Sequence, residues 1–397
     1  MLKKPLITKA SLSNCAKNLL VLSVTIILIA AVLEISLRIY NPLGFRIRGD
    51  QIILPRNRKE IIRHGKSTRK LDSIVVCNRN SLGFRGEEPP KDFADLLTIV
   101  VVGGSTTECA ELPDDKTWPA LLGYKLKENF NRLWLNNAGL GGHSTFGHLV
   151  LMKDYVLKLH PKIALFFVGI NDVGAANPLE YDTRLKRLNF RSMERFLDSM
   201  AKYSELFSAA VNMYRYFFPK AVMDRAYNDM GEKDFRTLPK LEISEHDRLA
   251  VKQKHRLNYV NFYEKRLRAL VSICRTNNID PVFLTEPILY GNVVDEETGV
   301  NLARIKVTDD MDGEAAWEVL ELYNDATRLV GQQEGVLVID VAKEFPKNSV
   351  YFTDMIHFSN KGAARLAEIA YAKLEPYLAS RYRNYLAPPS AGAQTIN

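Results

Sequence analysis

Cysteine is scarce in this chain, and what there is does not cluster. The four residues Cys15, Cys77, Cys109 and Cys274 form neither a CxxC pair nor a dense framework. Neither a zinc site nor a disulfide scaffold is therefore implied. Glycine (22) and proline (17) are not in excess, which argues against long disorder over 397 residues. Nucleotide signatures are missing too. Gly65-Lys66-Ser67 looks like the end of a P-loop, but the position five residues before Gly65 is Glu60 rather than glycine. The glycine-rich stretch at 139–144 fails the dinucleotide pattern GxGxxG because Ser144 holds its last position. The GxSxG elbow of α/β-hydrolases occurs nowhere. No internal repeat is present.

Acidic charge is the minority sign, leaving a formal net charge of +8. Much of the excess comes early: Lys3, Lys4, Lys9 and Lys17, then a basic stretch from Arg46 to Lys70. Few aromatics are interleaved and no nucleic-acid module is recognisable, so these residues read as a solvated segment near anionic head groups and no nucleic-acid partner is expected.

One apolar run is long. Residues 19–33 carry no charge, and the run continues to Leu37 with Glu34 inside it, 19 residues in all. About 20 are needed to cross hydrocarbon as a helix. Apolar residues crowd every face, and no clean small-x-small cleavage site follows, so an uncleaved anchor is expected rather than a signal peptide. Lys and Arg near the two ends are similar in number, and charge alone does not orient the span.

The chain is expected to divide into a basic tail (1–17), a transmembrane anchor (18–40), an irregular connector (41–95), a catalytic domain (96–380) and a C-terminal tail (381–397), unstructured from Pro388. Within the domain, buried strands are predicted at 96–102, 133–137, 163–168, 281–284 and 336–339, and helices at 118–130, 145–159, 313–333 and 360–378. Strands alternating with helical crossovers imply a three-layer α/β/α parallel five-stranded sheet. Residues 177–280 read as a charged helical insertion, either a cap on one edge or a lid over a cleft.

In open α/β sheets, chemistry gathers at the carboxyl ends of the strands. The first three strands each end in a polar motif. Gly103-Gly104-Ser105 offers a hydroxyl and a backbone N–H at a tight turn, though a lone serine there can simply cap a helix. Asn137-Ala138-Gly139-Leu140-Gly141-Gly142 offers backbone N–H groups to a developing oxyanion. Gly169-Ile170-Asn171-Asp172 offers a side-chain amide, or an ordinary turn pair. Near the C-terminus, His357 is alone among seven histidines in having an acid, Asp354, three residues before it. That spacing lets a carboxylate hold one imidazole nitrogen and leaves the other free to take a proton. Cys109, four residues after Ser105, reads as a buried small side chain rather than a nucleophile.

These four blocks, in this order, resemble the SGNH (GDSL-type) hydrolase superfamily, with Ser105, Gly142, Asn171 and His357 in its four signature positions. The match covers roughly 95–380 apart from the insertion. Asn80-Ser81-Leu82-Gly83-Phe84-Arg85, Thr117-Trp118-Pro119, Thr285-Glu286-Pro287 and Tyr323-Asn324 are similar to its bacterial membrane-tethered members. The family's first block is usually Gly-Asp-Ser, and here Gly104 replaces the aspartate.

The resemblance implies a flavodoxin-like sheet, no metal or organic cofactor, and a single-pass protein with its domain on the periplasmic side of a bacterial inner membrane. It also implies a serine esterase: Ser105, His357 and Asp354 catalytic, and Ser105, Gly142 and Asn171 forming an oxyanion hole. The substrate would be a short-chain or acetyl ester on a small molecule or glycan. Two other readings stay open on the sequence. One is an O-acyltransferase or deacetylase acting on an exported polysaccharide; the other is a non-catalytic glycan-binding protein of the same fold. Oligomeric state leaves no trace in the sequence.

Overall fold

The long apolar run folds as one helix, α1 (Lys9–Ile39), consistent with its lack of glycine, proline or any break in hydropathy. The computed structural model describes residues 9–42, 49–65, 69–179, 182, 193–217 and 232–388. The tail expected to be unstructured, at 389–397, lies outside the described residues, as do parts of the basic tail, the connector and the insertion. The chain forms two compact units: residues 1–46 with 187–217, and residues 47–186 with 218–397.

The second unit begins with an element absent from the sequence reading. β1 (Arg58–Arg63) and β2 (Ile74–Arg79) pair antiparallel, with Ile62 opposite Val75. Charged residues break both strands, so the run looks irregular in one dimension, yet Ile62, Val75 and Cys77 are buried.

β3 (Leu97–Gly103) follows, buried at every position. It leads into α2 (Ser105–Glu108), α3 (Trp118–Lys127) and β4 (Leu133–Asn137). α4 (Thr145–Leu151) runs on through a wide turn at Met152–Val156 into α5 (Leu157–Leu159). His160 ends it with a left-handed φ of 50°, ahead of Pro161. β5 (Ile163–Val168) is again buried throughout.

In the first unit α6 (Met193–Tyr203) and α7 (Glu205–Phe217) form a helical hairpin. The second unit resumes with α8 (Glu245–His255), α9 (Asn261–Thr276), β6 (Asp280–Thr285) and α10 (Gly313–Glu334). β7 (Leu337–Ile339), α11 (Val341–Glu344) and α12 (Asn360–Arg381) complete it. The stretch at 177–280 thus holds more than an insertion, since α9 is the crossover helix that returns the chain to β6.

The five strands are parallel in the order β4-β3-β5-β6-β7. This is the flavodoxin-like arrangement, with the order reversing beside the first strand. Right-handed crossovers put α3 on one face and α4, α9 and α10 on the other. Ile99 and Val101 of β3 join Trp118, Leu122 and Leu126 of α3 and Leu366, Ala370 and Leu374 of α12 in one apolar cluster. Burying each such side chain contributes roughly 1.5–3 kcal/mol. The reversal point opens a crevice at the carboxyl ends of β3, β4 and β5, where the first three polar motifs sit.

Candidate active site

Ser105 is the first residue of α2, directly beyond the end of β3. The His357 imidazole, delivered by the loop before α12, reaches it with Nε2 2.8 Å from the Ser105 Oγ. On its other side, Nδ1 lies 2.7 Å from Asp354 Oδ2. The remaining oxygen, Asp354 Oδ1, accepts the backbone N–H groups of Ile356 (2.8 Å) and His357 (2.7 Å). An aspartate three residues before a histidine can thus fold the loop on itself and aim the ring at once. The structure thus brings Ser105 to a histidine 252 positions away in sequence.

The charges around this trio oppose burial. Burial pushes the Asp354 carboxyl up, but the His357 ring and the two backbone N–H groups outweigh it and hold the carboxyl below its usual range. Burial pulls the His357 imidazole down, yet Asp354, Glu111 and Glu286 outweigh it and leave it above its ordinary value. Glu111 and Glu286 are buried carboxyls, and burial lifts each to about 7.

The other two polar motifs lie beyond β4 and β5. Gly142 follows β4 with φ +78°, a conformation that favours glycine. Among the described residues, no hydrogen bond engages the Ser105 or Gly142 backbone N–H. Asn171, beyond β5, donates from Nδ2 to the His143 carbonyl at 3.0 Å. A Cβ built on Gly104 would lie 2.2 Å from that same Nδ2. A side chain at 104 would therefore require the Asn171 amide to shift.

Several residues that the sequence reading passed over, or quoted only as family cues, hold these loops. Glu286 accepts the Thr106 hydroxyl at 2.5 Å and the Ile170 N–H at 3.0 Å, which joins the serine loop to the asparagine loop. Asn324 fixes the Glu286 backbone on both sides, accepting its N–H at 3.0 Å and donating to its carbonyl at 3.1 Å. Arg85 is buried and donates to the carbonyls of Glu108 (2.6 Å), Cys109 (2.6 Å) and Leu112 (2.7 Å) and to Asp114. The Trp118 indole donates to the Thr106 carbonyl at 3.1 Å. Glu108 pairs with Arg79 and accepts the Gly141 N–H at 2.6 Å, tying α2 to the Gly142 loop.

Asp172, the second half of the turn pair, accepts the Thr145 N–H and hydroxyl and pairs with Arg266 at 3.0 Å. Asp182 accepts the N–H groups of Ser144 (2.8 Å) and Gly147 (3.1 Å) and the Ser144 hydroxyl. No local pattern marks Asp182 or Arg266, since their partners are distant in sequence. Cys109 is buried, its thiol donating to the Thr106 carbonyl at 3.2 Å, and burial pushes it up to about 12. A thiol so hard to ionise is a poor nucleophile. The described residues contain no cluster of His, Cys, Asp and Glu suited to a metal.

A cleft of about 440 Å³ opens beside the trio, reaching Asp354 and Ile356 on one side and Ile170 on the other. Its walls are mainly apolar, among them Val173, Leu238, Ile288 and Val319.

Residues 101–365 match the GDSL-like lipase/acylhydrolase family. No curated protein sequence matches the chain. A solved lipase/acylhydrolase from Enterococcus faecalis is 14% identical, with 75% of this chain and 100% of that one covered and a TM-score of 0.40. An acetylxylan esterase from Geobacillus stearothermophilus, solved as a catalytic mutant, is 12% identical, with 70% and 93% covered and a TM-score of 0.39. Its parallel sheet, its ordered polar blocks and a family match over most of its length agree: the chain belongs to the GDSL-like lipase/acylhydrolase family and is an ester-hydrolysing enzyme.

Proposed function

We propose that the chain hydrolyses carboxylic esters through a Ser105 nucleophile, with His357 as general base and Asp354 as its orienting partner. The observation that carries this reading is the unbroken path of two hydrogen bonds, 2.8 Å and 2.7 Å, from Ser105 through His357 to Asp354. As Ser105 Oγ attacks the ester carbonyl, its proton passes to His357 Nε2. Asp354 holds the Nδ1–H tautomer and stabilises the imidazolium. The carbonyl oxygen becomes an oxyanion facing the Ser105 and Gly142 N–H groups and the Asn171 amide. The imidazolium then protonates the leaving alkoxide, and the alcohol departs. A water molecule, deprotonated by His357, releases the acyl group and restores the serine.

The apolar cleft beside Asp354 is assigned to the acyl group. Its volume of about 440 Å³ falls within the roughly 300–1,000 Å³ that houses small-molecule ligands. This extends the expected short-chain and acetyl substrates to longer apolar acyl groups. α1 is assigned as a membrane anchor: the 24 residues Ala16–Ile39 are long and apolar enough on average to cross a bilayer, and none is buried within the protein. The catalytic unit would then lie on the periplasmic side, as the resemblance to membrane-tethered members implies.

The test is turnover of aryl esters of increasing acyl length by the purified full chain. Wild-type protein is expected to cleave them, with Ser105→Ala losing about 10⁶-fold in kcat. Full activity in that variant, with esterase contaminants excluded, would end the assignment.

A further inference from the structure

Glu34 is the only acid in α1, placed inside its apolar run. The candidate span of 24 residues is about 36 Å long at 1.5 Å per residue, more than the roughly 30 Å of hydrocarbon. Glu34 is five residues short of its end, so it falls near the bilayer boundary. A carboxylate there is costly unless it is partnered.

It is partnered by the helical hairpin. One oxygen accepts the Ser204 hydroxyl and the Leu206 N–H, both at 2.9 Å. The other accepts the Glu205 N–H at 3.0 Å and the Arg38 Nε at 2.7 Å. Glu34 therefore caps the N-terminus of α7 from another element of the chain. Arg38, one turn further along α1, donates to the carbonyl of Tyr203, the last residue of α6, at 3.0 Å. An anion meets the positive end of one helix and a cation the negative end of the other, the favourable pairing with both helix dipoles. Two charges of α1 thus match the two helix ends that flank one turn. A segment destined only for cleavage as a signal peptide has no need of such a fit.

The same unit exposes large apolar and aromatic side chains. Tyr40 follows α1 directly and is 73% exposed, and Tyr203 is 53% exposed at the hairpin turn. On α7, Met213, Tyr214 and Phe217 are between 51% and 66% exposed. Tyrosines gather at membrane–water interfaces, and amphipathic helices lie there with their apolar side in the acyl boundary.

We propose that α1 is retained in the mature protein and that the α6–α7 hairpin is a lipid-binding element, fastened to α1 through Glu34 and Arg38 and resting its exposed apolar side on a phospholipid bilayer. The inference builds on the assignment of α1 as the anchor. The hairpin makes that anchor a three-helix unit rather than a tether.

The experiment uses the full chain in vesicles of phosphatidylcholine and phosphatidylglycerol. Intact mass establishes the N-terminus, a carbonate wash reports anchoring, and limited trypsin digestion reports cleavage within 187–217. An environment-sensitive fluorophore on Met213→Cys, with brominated lipids as quencher, reports lipid contact. Retained α1, quenched fluorophore and cleavage at least about tenfold slower than in Glu34→Ala are expected, from the loss of charge-assisted hydrogen bonds. Ser204→Ala, which removes one partner only, is expected to fall between them. Turnover of a soluble aryl ester stays unchanged in both variants and confirms folding. A mature chain starting beyond residue 39, or release by carbonate, overturns the anchor and this proposal together. A chain that stays anchored, with an unquenched fluorophore and equal cleavage rates in wild type and Glu34→Ala, overturns the hairpin proposal alone.

Discussion

The two ends of α2 make an instructive contrast. At its first residue, Ser105, the hydroxyl lies 2.8 Å from His357 Nε2, and its backbone N–H has no partner among the described residues. At its last residue, Glu108, the carbonyl and carboxylate are gripped by Arg85, Arg79 and the Gly141 N–H. Four residues of one helix thus pass from an end with a free backbone donor to a locked one. In the proposed mechanism the first end keeps donor capacity for a transition state, which is how preorganised donors act without reorganising during reaction. The locked end has every donor and acceptor spent. Rate should therefore be lost at one end and stability at the other.

Five changes test that contrast. Asp354→Asn keeps the loop geometry but favours the wrong imidazole tautomer, and kcat for an aryl ester is expected to fall by about 10⁴-fold. A loss under tenfold would mean that His357 needs no orienting partner. Asn171→Ala removes one proposed oxyanion donor and should cost on the order of 10²–10³ in kcat with little change in thermal midpoint. Gly104→Ala, which drives a Cβ into the same amide, should approach that loss.

At the locked end the balance reverses. Arg85→Met strips three backbone carbonyls and Asp114 of a buried cation, an effect on the order of 3–5 kcal/mol in stability. Calorimetry is expected to show a midpoint lowered by several degrees, while the activity of the still-folded fraction falls less than for Asn171→Ala. The reverse ordering of the two variants would erase the distinction between the ends.

The smallest effect concerns pH. In the proposed mechanism His357 must be neutral to accept the serine proton, and its pKa lies above the ordinary 6.5 because Asp354, Glu111 and Glu286 outweigh its burial. Activity is therefore retained above that raised value and lost as pH falls through it, with a midpoint above 6.5. Glu111→Gln removes one of the raising charges and should move the acid limb of kcat/KM to lower pH. A limb that moves upward would contradict the electrostatic account.

The parts of this site that were legible in sequence share one trait: the signal is local. Continuous apolar strands ending in Gly103-Gly104-Ser105 or Gly169-Ile170-Asn171 announce themselves, because strand burial and the turn beyond it are written in adjacent residues. Asp354 and His357 are legible for the same reason. What was not legible depends on contacts between distant residues. Asp182 braces the loop after Gly142 from 35 or more positions away, and Arg266 reaches Asp172 across 94. The β1–β2 hairpin hides behind charged residues, and only its pairing reveals Ile62 and Val75 as core. The apolar runs of α1 and β3 look alike in composition; length alone separates 31 helical residues from 7 buried strand residues.

The most direct measurement is labelling of the folded full chain with a fluorophosphonate, mapped by peptide mass. One phosphonyl group per chain is expected, on Ser105, with labelling lost in His357→Ala. A folded wild-type chain that stays unlabelled, or is labelled at another residue, would contradict the assignment of Ser105 as nucleophile.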